Sequence, residues 1–182
     1  MRRIDLFKRL EELERRNVLV LSKKDMGKLF PEEDEKAMEK SLKRMVREGL
    51  LVRAARGVYV NASAASRNAS RIIEDVAIAL RPGKFSYVSL ESALSEYGVI
   101  SQIPMSRLTV MTTGASGVHE TPYGVIEFTH TKRSPPEVLA RTVFTRDRPL
   151  RVAKKQTAVQ DLRRVGRNTD LIDLEALEDE AP

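Results

Sequence analysis

Residues 31–60, PEEDEKAMEKSLKRMVREGLLVRAARGVYV, decide how the N-terminal part of this chain folds. Met38, Leu42, Met45 and Val46 recur at intervals of three and four, with Leu50 just beyond, which predicts one amphipathic helix with a single apolar stripe. Gly49 supplies its stop. At about 100° per residue, Lys36, Lys40, Lys43, Arg44 and Arg47 fall opposite the stripe, with Glu35, Glu39 and Glu48 on its flanks. After Gly49 the pattern changes to LLV, a short basic AARG, then VYV. That is two short strands around a tight turn in which Gly57 can take a positive φ, with Arg53 and Arg56 in or beside it.

A basic outer face on a lone helix is ordinarily a solvated surface. Here the neighbouring segments argue for more. Residues 2–17 place Ile4, Leu6, Phe7, Leu10 and Leu13 on one side of a first amphipathic helix. Ser22 with Asp25 forms a capping-box pattern opening a short helix over residues 23–30, which Pro31 ends. Three helices followed by a hairpin in about sixty residues is the layout of a winged helix-turn-helix, a duplex-binding motif.

On that reading the contacts can be assigned by chemistry. Lys23, Lys24 and Lys28 on the second helix would contact phosphate, and Arg53 and Arg56 would grip the minor groove or the backbone. Lys36, Lys40 and Arg44 stand one above another on the third helix. An arginine can bond guanine twice, so Arg44 and Arg47 suit base contact if they reach the groove floor. The acids at Glu32, Glu33, Asp34 and Glu35 open this helix and repel phosphate, although they favour its dipole. Readout is therefore expected from Ser41 with Lys40 and Lys43 around it.

The 182 residues, 41% hydrophobic and 5% aromatic, suit two small domains. Residues 61–70, NASAASRNAS, lack apolar periodicity and read as a short linker or a helix entry. The expected division is a winged helix-turn-helix over 1–62 and a mixed α/β domain over 63–182, making an α+β chain. Net charge is +6 with a pI near 9.7. The excess is larger in the body, because residues 169–182 are strongly acidic, as suits a phosphate-contacting protein. Leu171, Ile172, Leu174 and Leu177 could dock that tail, or it could be disordered. The absence of cysteine excludes disulfides, thiolate catalysis and cysteine zinc sites. No signal-peptide pattern and no long apolar run is present, so a cytoplasmic protein without membrane insertion is expected.

In the second domain the pattern predicts a helix over 71–80 closed by Pro82-Gly83, a strand over 85–90 and a helix over 91–97 ended by Gly98. A loop over 100–104 follows, then strands over 108–112 and 123–130 flanking a loop at 114–122. A short helix near 137–141, opened by Pro135-Pro136, and a final amphipathic helix over 152–164 complete it. Within this domain Tyr87, Ser89, Leu90, Ser92, Ala93, Leu94 and Gly98 form a Y-x-S-L-x-S-A-L-x-x-x-G pattern. Pro104, Thr109, Thr112 and Thr113 follow, and then Thr121, Pro122, Gly124 and Phe128.

This order of motifs, behind a winged helix, resembles the AbiEi-type antitoxins of type IV toxin-antitoxin systems. The resemblance covers most of the chain. It implies an autorepressor that binds inverted repeats in double-stranded promoter DNA, with two cooperating copies or a stable dimer filling them. It also implies an antitoxin that neutralises a nucleotidyltransferase-type toxin without requiring a stable complex with it. The residues themselves say only that one domain should bind DNA and that the other is a compact α/β module. A winged-helix regulator with no toxin, whose second domain senses a ligand or mediates dimerisation, is the alternative.

Catalysis is not expected, and neither a cofactor nor a metal is called for. His119 and His130 are the only histidines, and His119-Glu120 lacks the second histidine of a helical zinc motif. Residues 114–117, GASG, do not form a nucleophile elbow, and Arg81 to Lys84 reads as a turn. Glu74, Asp75, Glu91 and Glu96 read as helix surface acids. A nuclease-like core would need an acid followed by Glu-x-Lys, whereas Glu127 precedes Phe128 and Thr129, with the lysine displaced to Lys132.

Overall fold

In the computed structural model, which describes residues 1–65, 69–100, 106–146 and 148–173, the chain opens with α1 (Arg3–Arg15). Leu6 and Leu10 are buried, but Ile4 and Phe7 are 53% and 43% exposed. The core takes only the narrow stripe of Leu6, Leu10 and the partly buried Leu13, so the wider apolar face read from the sequence is corrected. Asn17, at φ +62, then turns the chain into β1 (Val20–Ser22), a strand the sequence reading lacked.

Ser22 caps α2 (Lys23–Leu29) as expected: its backbone N–H and hydroxyl donate to Asp25 Oδ2 at 3.0 and 2.6 Å, and its oxygen accepts from the Asp25 N–H at 3.1 Å. Helix α3 (Glu35–Arg47) starts later than its acidic run suggests. Asp34 is the N-cap, accepting from the Ala37 N–H at 2.8 Å, so of the four acids only Glu35 lies within the helix. Gly49 at φ +73 ends the helical segment, and the chain continues as β2 (Leu51–Ala55) and β3 (Val58–Asn61) around a turn with Gly57 at φ +75. The three strands form an antiparallel sheet in the order β1-β3-β2, with Val60 opposite both Val20 and Val52. The sheet and helices close over Leu6, Leu10, Leu21, Met26, Phe30, Met38, Leu42, Met45 and Leu51.

After α4 (Ala62–Ala65) comes α5 (Ala69–Leu80), which buries Ile72, Val76 and Ala77 and packs on β1 and β3. The first compact unit consequently comprises Met1–Leu80 with Thr121–Tyr123, and the second Arg81–Glu120 with Gly124–Pro182. The boundary expected at residue 62 falls instead after Leu80, because α5 covers the sheet of the unit that precedes it.

The second unit is built on a six-stranded mixed sheet in the order β6-β7-β5-β4-β9-β8. Strands β4 (Ser86–Val88) and β5 (Arg107–Thr112) pair antiparallel, with Tyr87 opposite Met111. Between them lies α6 (Leu90–Glu96). β6 (Gly117–Thr121) occupies most of what reads as a loop, and β7 (Gly124–His130) runs parallel to β5. β6 escapes a pattern search because its half-buried positions, Gly117, His119 and Thr121, carry no large apolar side chain and its one large apolar residue, Val118, is 58% exposed.

Helix α7 (Pro135–Arg141), opened by its two prolines and a Ser134–Glu137 capping box, leads to β8 (Thr142–Val143). The segment read as one final helix is β9 (Arg151–Ala153), parallel to β4, followed by α8 (Lys155–Val165), which packs on α6. Beyond α8, Ile172 bridges Ile100 and the Asp173 N–H donates to Val99 O at 2.9 Å, tying down the start of the acidic segment. Leu174, Leu177, residues 101–105, which include all of the expected loop but Ile100, and residues 66–68 of the expected linker lie outside the described residues. Among the described residues, eight α-helices and two sheets make an α+β chain, and no helix is long and apolar enough to cross a membrane.

Candidate nucleic-acid interface

The exposed arc of α3 follows from its buried one. Met38, Leu42 and Met45 face the core, which leaves Lys36, Lys40, Lys43 and Arg47 within an arc of about 60° on the opposite side, all exposed. Glu39 sits on one flank of this arc and Arg44 on the other. The hairpin is fixed beside the Glu39 flank. The Lys23 N–H donates to Gly57 O at 2.8 Å, so the first residue of α2 holds the β2–β3 turn. A β-bulge between Arg53 and Ala55 adds twist at that end of the hairpin, and Arg53 and Arg56 are both exposed there.

These elements enclose a concavity of about 740 Å³ lined by Lys23, Glu39, Lys43, Val46, Arg53, Arg56, Gly57 and Tyr59. Four of the expected contact residues are thus brought together by three different elements. Lys23 is already engaged: its Nζ lies 2.9 Å from Glu35 Oε1 and 2.7 Å from Glu39 Oε1. These bonds, that to Glu39 first, raise the ammonium pKa and keep it charged, while the Glu39 carboxyl is held below the usual range by the Lys23 bond.

The remaining expected residues are distributed around this groove. Lys24 and Lys28 are exposed on α2, with Lys28 Nζ 3.6 Å from Asp25. Arg44 donates to the Met1 carbonyl at 2.6 Å and approaches Glu48 at 4.0 Å, so its guanidinium is directed to the α1 side of the unit. Ser41 does not belong to the outer face. It is 8% exposed and donates to Glu33 Oε2 at 2.9 Å, because its position on the helix adjoins the buried stripe. The expectation that Ser41 takes part in readout is corrected accordingly. Glu39 and Tyr59 are groove residues the sequence reading missed; only the pairing of the hairpin against α3 places them there.

In the second unit, the acids read as surface groups are organised differently. Glu91 is 4% exposed and accepts from Arg167 Nε at 2.9 Å, Arg167 Nη2 at 3.0 Å and Asn168 Nδ2 at 2.7 Å. Arg167 also pairs with Glu127, which Arg107 reaches at 2.7 Å. Burial pushes the Glu127 carboxyl up, but Arg167 and Arg107 outweigh it and hold the group below its ordinary range.

A second polar cluster centres on the fully buried Asp161 of α8. Its Oδ2 accepts from Tyr87 OH at 3.1 Å and Ser89 Oγ at 2.9 Å, and its Oδ1 from Arg133 Nη1 at 2.5 Å. Burial, reinforced by Asp161, pushes the Tyr87 phenol up to about 12. Thr109 completes the knot by donating to Ser89 O at 2.6 Å and exchanging bonds with Ser92. Tyr87, Ser89, Ser92 and Thr109, four of the residues that carry the family resemblance, therefore clamp α6 and α8 to the sheet. No family model matches the chain, and no curated protein is significantly similar to it in sequence.

Proposed function

We propose that the first unit is a winged helix-turn-helix that binds double-stranded DNA, and that the chain is a cytoplasmic, non-enzymatic autorepressor and antitoxin of the AbiEi type. The observation that carries the DNA reading is the single concavity that α3 and the β2–β3 hairpin line with Lys43, Arg53 and Arg56. The element order α1-β1-α2-α3-β2-β3, with the hairpin beside α3, supports it. Lys36, Lys40 and Arg47 extend the same cationic face along the helix, and Lys24 and Lys28 add phosphate contacts from α2. Inverted repeats in its own promoter would then be filled by two copies. The antitoxin part rests on the resemblance of residues 87–128, and its functional partner is a nucleotidyltransferase-type toxin.

The DNA reading is tested by titrating the purified chain with its own promoter fragment over a range of salt. Binding that tightens with falling salt and is lost when Lys43, Arg53 and Arg56 are replaced together by Ala supports it. Equal binding by that variant removes it. The antitoxin reading has a separate test, rescue of growth when the chain is co-expressed with a neighbouring nucleotidyltransferase. Failure to rescue, with DNA binding intact, favours a regulator whose second unit senses a ligand or dimerises.

A further inference from the structure

Glu39 is the odd member of the cationic groove. It lines the concavity with Lys43, Arg53 and Arg56, and its side chain is 55% exposed. An anion in that place repels the DNA backbone, so a phosphate-gripping surface gains nothing from it. Its ion pair does not account for it either. Exposed pairs contribute little to stability, and Lys23 already has Glu35 at 2.9 Å. What the pair does accomplish is geometric: Lys23, whose backbone N–H is bonded to Gly57 O, holds Glu39 Oε1 at 2.7 Å and so ties the carboxylate to the hairpin side of the groove.

An ionised carboxylate only accepts hydrogen bonds. Phosphates also only accept, as do the N7, O6 and O4 atoms on the base edges. The donors in the major groove are the exocyclic amines, N4 of cytosine and N6 of adenine. Adenine sets an acceptor, N7, beside its amine, which suits an amide and repels a carboxylate, whereas cytosine presents its amine alone. We infer that Glu39 is a base-reading residue that accepts a hydrogen bond from cytosine N4, with Lys23 as its positioning residue. This rests on the DNA reading proposed above, and it adds to the cationic side chains of that reading an acceptor that selects one base.

The test uses the full-length chain and a set of promoter duplexes in which each base pair of the bound site is replaced in turn, with affinities measured by fluorescence anisotropy. For the wild type, one position in each half-site is expected to require C·G, replacement weakening binding roughly tenfold. Glu39→Ala should erase that preference while leaving the other positions unchanged. Glu39→Gln should move it toward adenine, which an amide bonds through N6 and N7. Lys23→Met should blunt the preference at the same position only, and Lys23→Arg should retain it. A uniform gain in affinity on Glu39→Ala, with every base preference preserved, overturns the inference and leaves the DNA reading standing. Absence of binding by the wild type to any duplex overturns the DNA reading and this inference with it.

Discussion

At the scale of single residues, the two most consequential carboxylates are Asp161 and Asp75, and neither is in the cationic groove. Asp161 satisfies two hydroxyls and one guanidinium from a site with no solvent access. Replacing it by Ala leaves the Arg133 charge and the Tyr87 and Ser89 hydroxyls without their acceptor in a buried setting. The expected loss of stability is about 3–5 kcal/mol, measurable by urea unfolding, with Asp161→Asn losing less because one acceptor oxygen is kept.

Asp75 on α5 is pushed from its ordinary 3.8 to about 6 by burial, which outweighs the attraction of Arg71, 3.5 Å away. Neither Arg71 Nε nor Asp75 Oδ2 makes a hydrogen bond among the described residues. Since the folded chain holds this proton more tightly than the unfolded chain, the carboxyl favours folding fully below its ordinary pKa, and that contribution fades as pH rises through about 6. Thermal melts at roughly pH 5 and pH 7.5 should show the wild type losing about 1.4 kcal/mol relative to Asp75→Asn between the two conditions. An unchanged difference would count against the shift.

At the scale of elements, α3 and the hairpin divide the work between charge and placement. Each phosphate contact contributes close to 0.9 to the log–log salt slope, so Lys43→Ala, Arg53→Ala and Arg56→Ala should each flatten it by about one unit. Ser41→Ala should leave both the slope and the base preferences alone, because that hydroxyl is spent on Glu33. Gly57 holds the turn at φ +75, a conformation that costs other residues strain, while its carbonyl is bound by the Lys23 N–H at 2.8 Å. Gly57→Ala should cost about 1 kcal/mol in denaturant unfolding and weaken DNA binding at the same time, since it displaces the turn that carries Arg56.

At the scale of the whole molecule, the question is where the first unit ends. Helix α5 lies on β1 and β3 and buries Ile72, Val76 and Ala77. A fragment of residues 1–62 would expose the surface that α5 covers, whereas residues 1–80 retain the cover. The longer fragment should unfold cooperatively in a calorimeter and bind the promoter duplex, and the shorter one should show no cooperative transition. Comparable transitions in both would move the boundary back to residue 62.

How much of this was legible in the sequence depends on the range over which each signal acts. The stripe of α3, the Ser22–Asp25 cap, the Gly49 stop and the glycine turn of the hairpin are settled within a few residues, so spacing and turn chemistry determine them. The strands β1, β6 and β9 were not legible: β1 and β9 are three residues long and run straight into helical patterns, and β6 carries a single large apolar residue, so each is fixed by the strand that bonds to it. The same holds for Ser41, Glu91 and Asp161, polar residues on amphipathic helices whose burial depends on which element packs against them. The sequence by itself determined a cationic helix and a basic turn. Only the tertiary structure decided that α2, α3 and the hairpin bring Lys23, Glu39, Lys43, Arg53 and Arg56 into one groove, because their juxtaposition is made by the Lys23–Gly57 backbone bond and the Lys23–Glu39 pair, contacts between residues far apart in the chain.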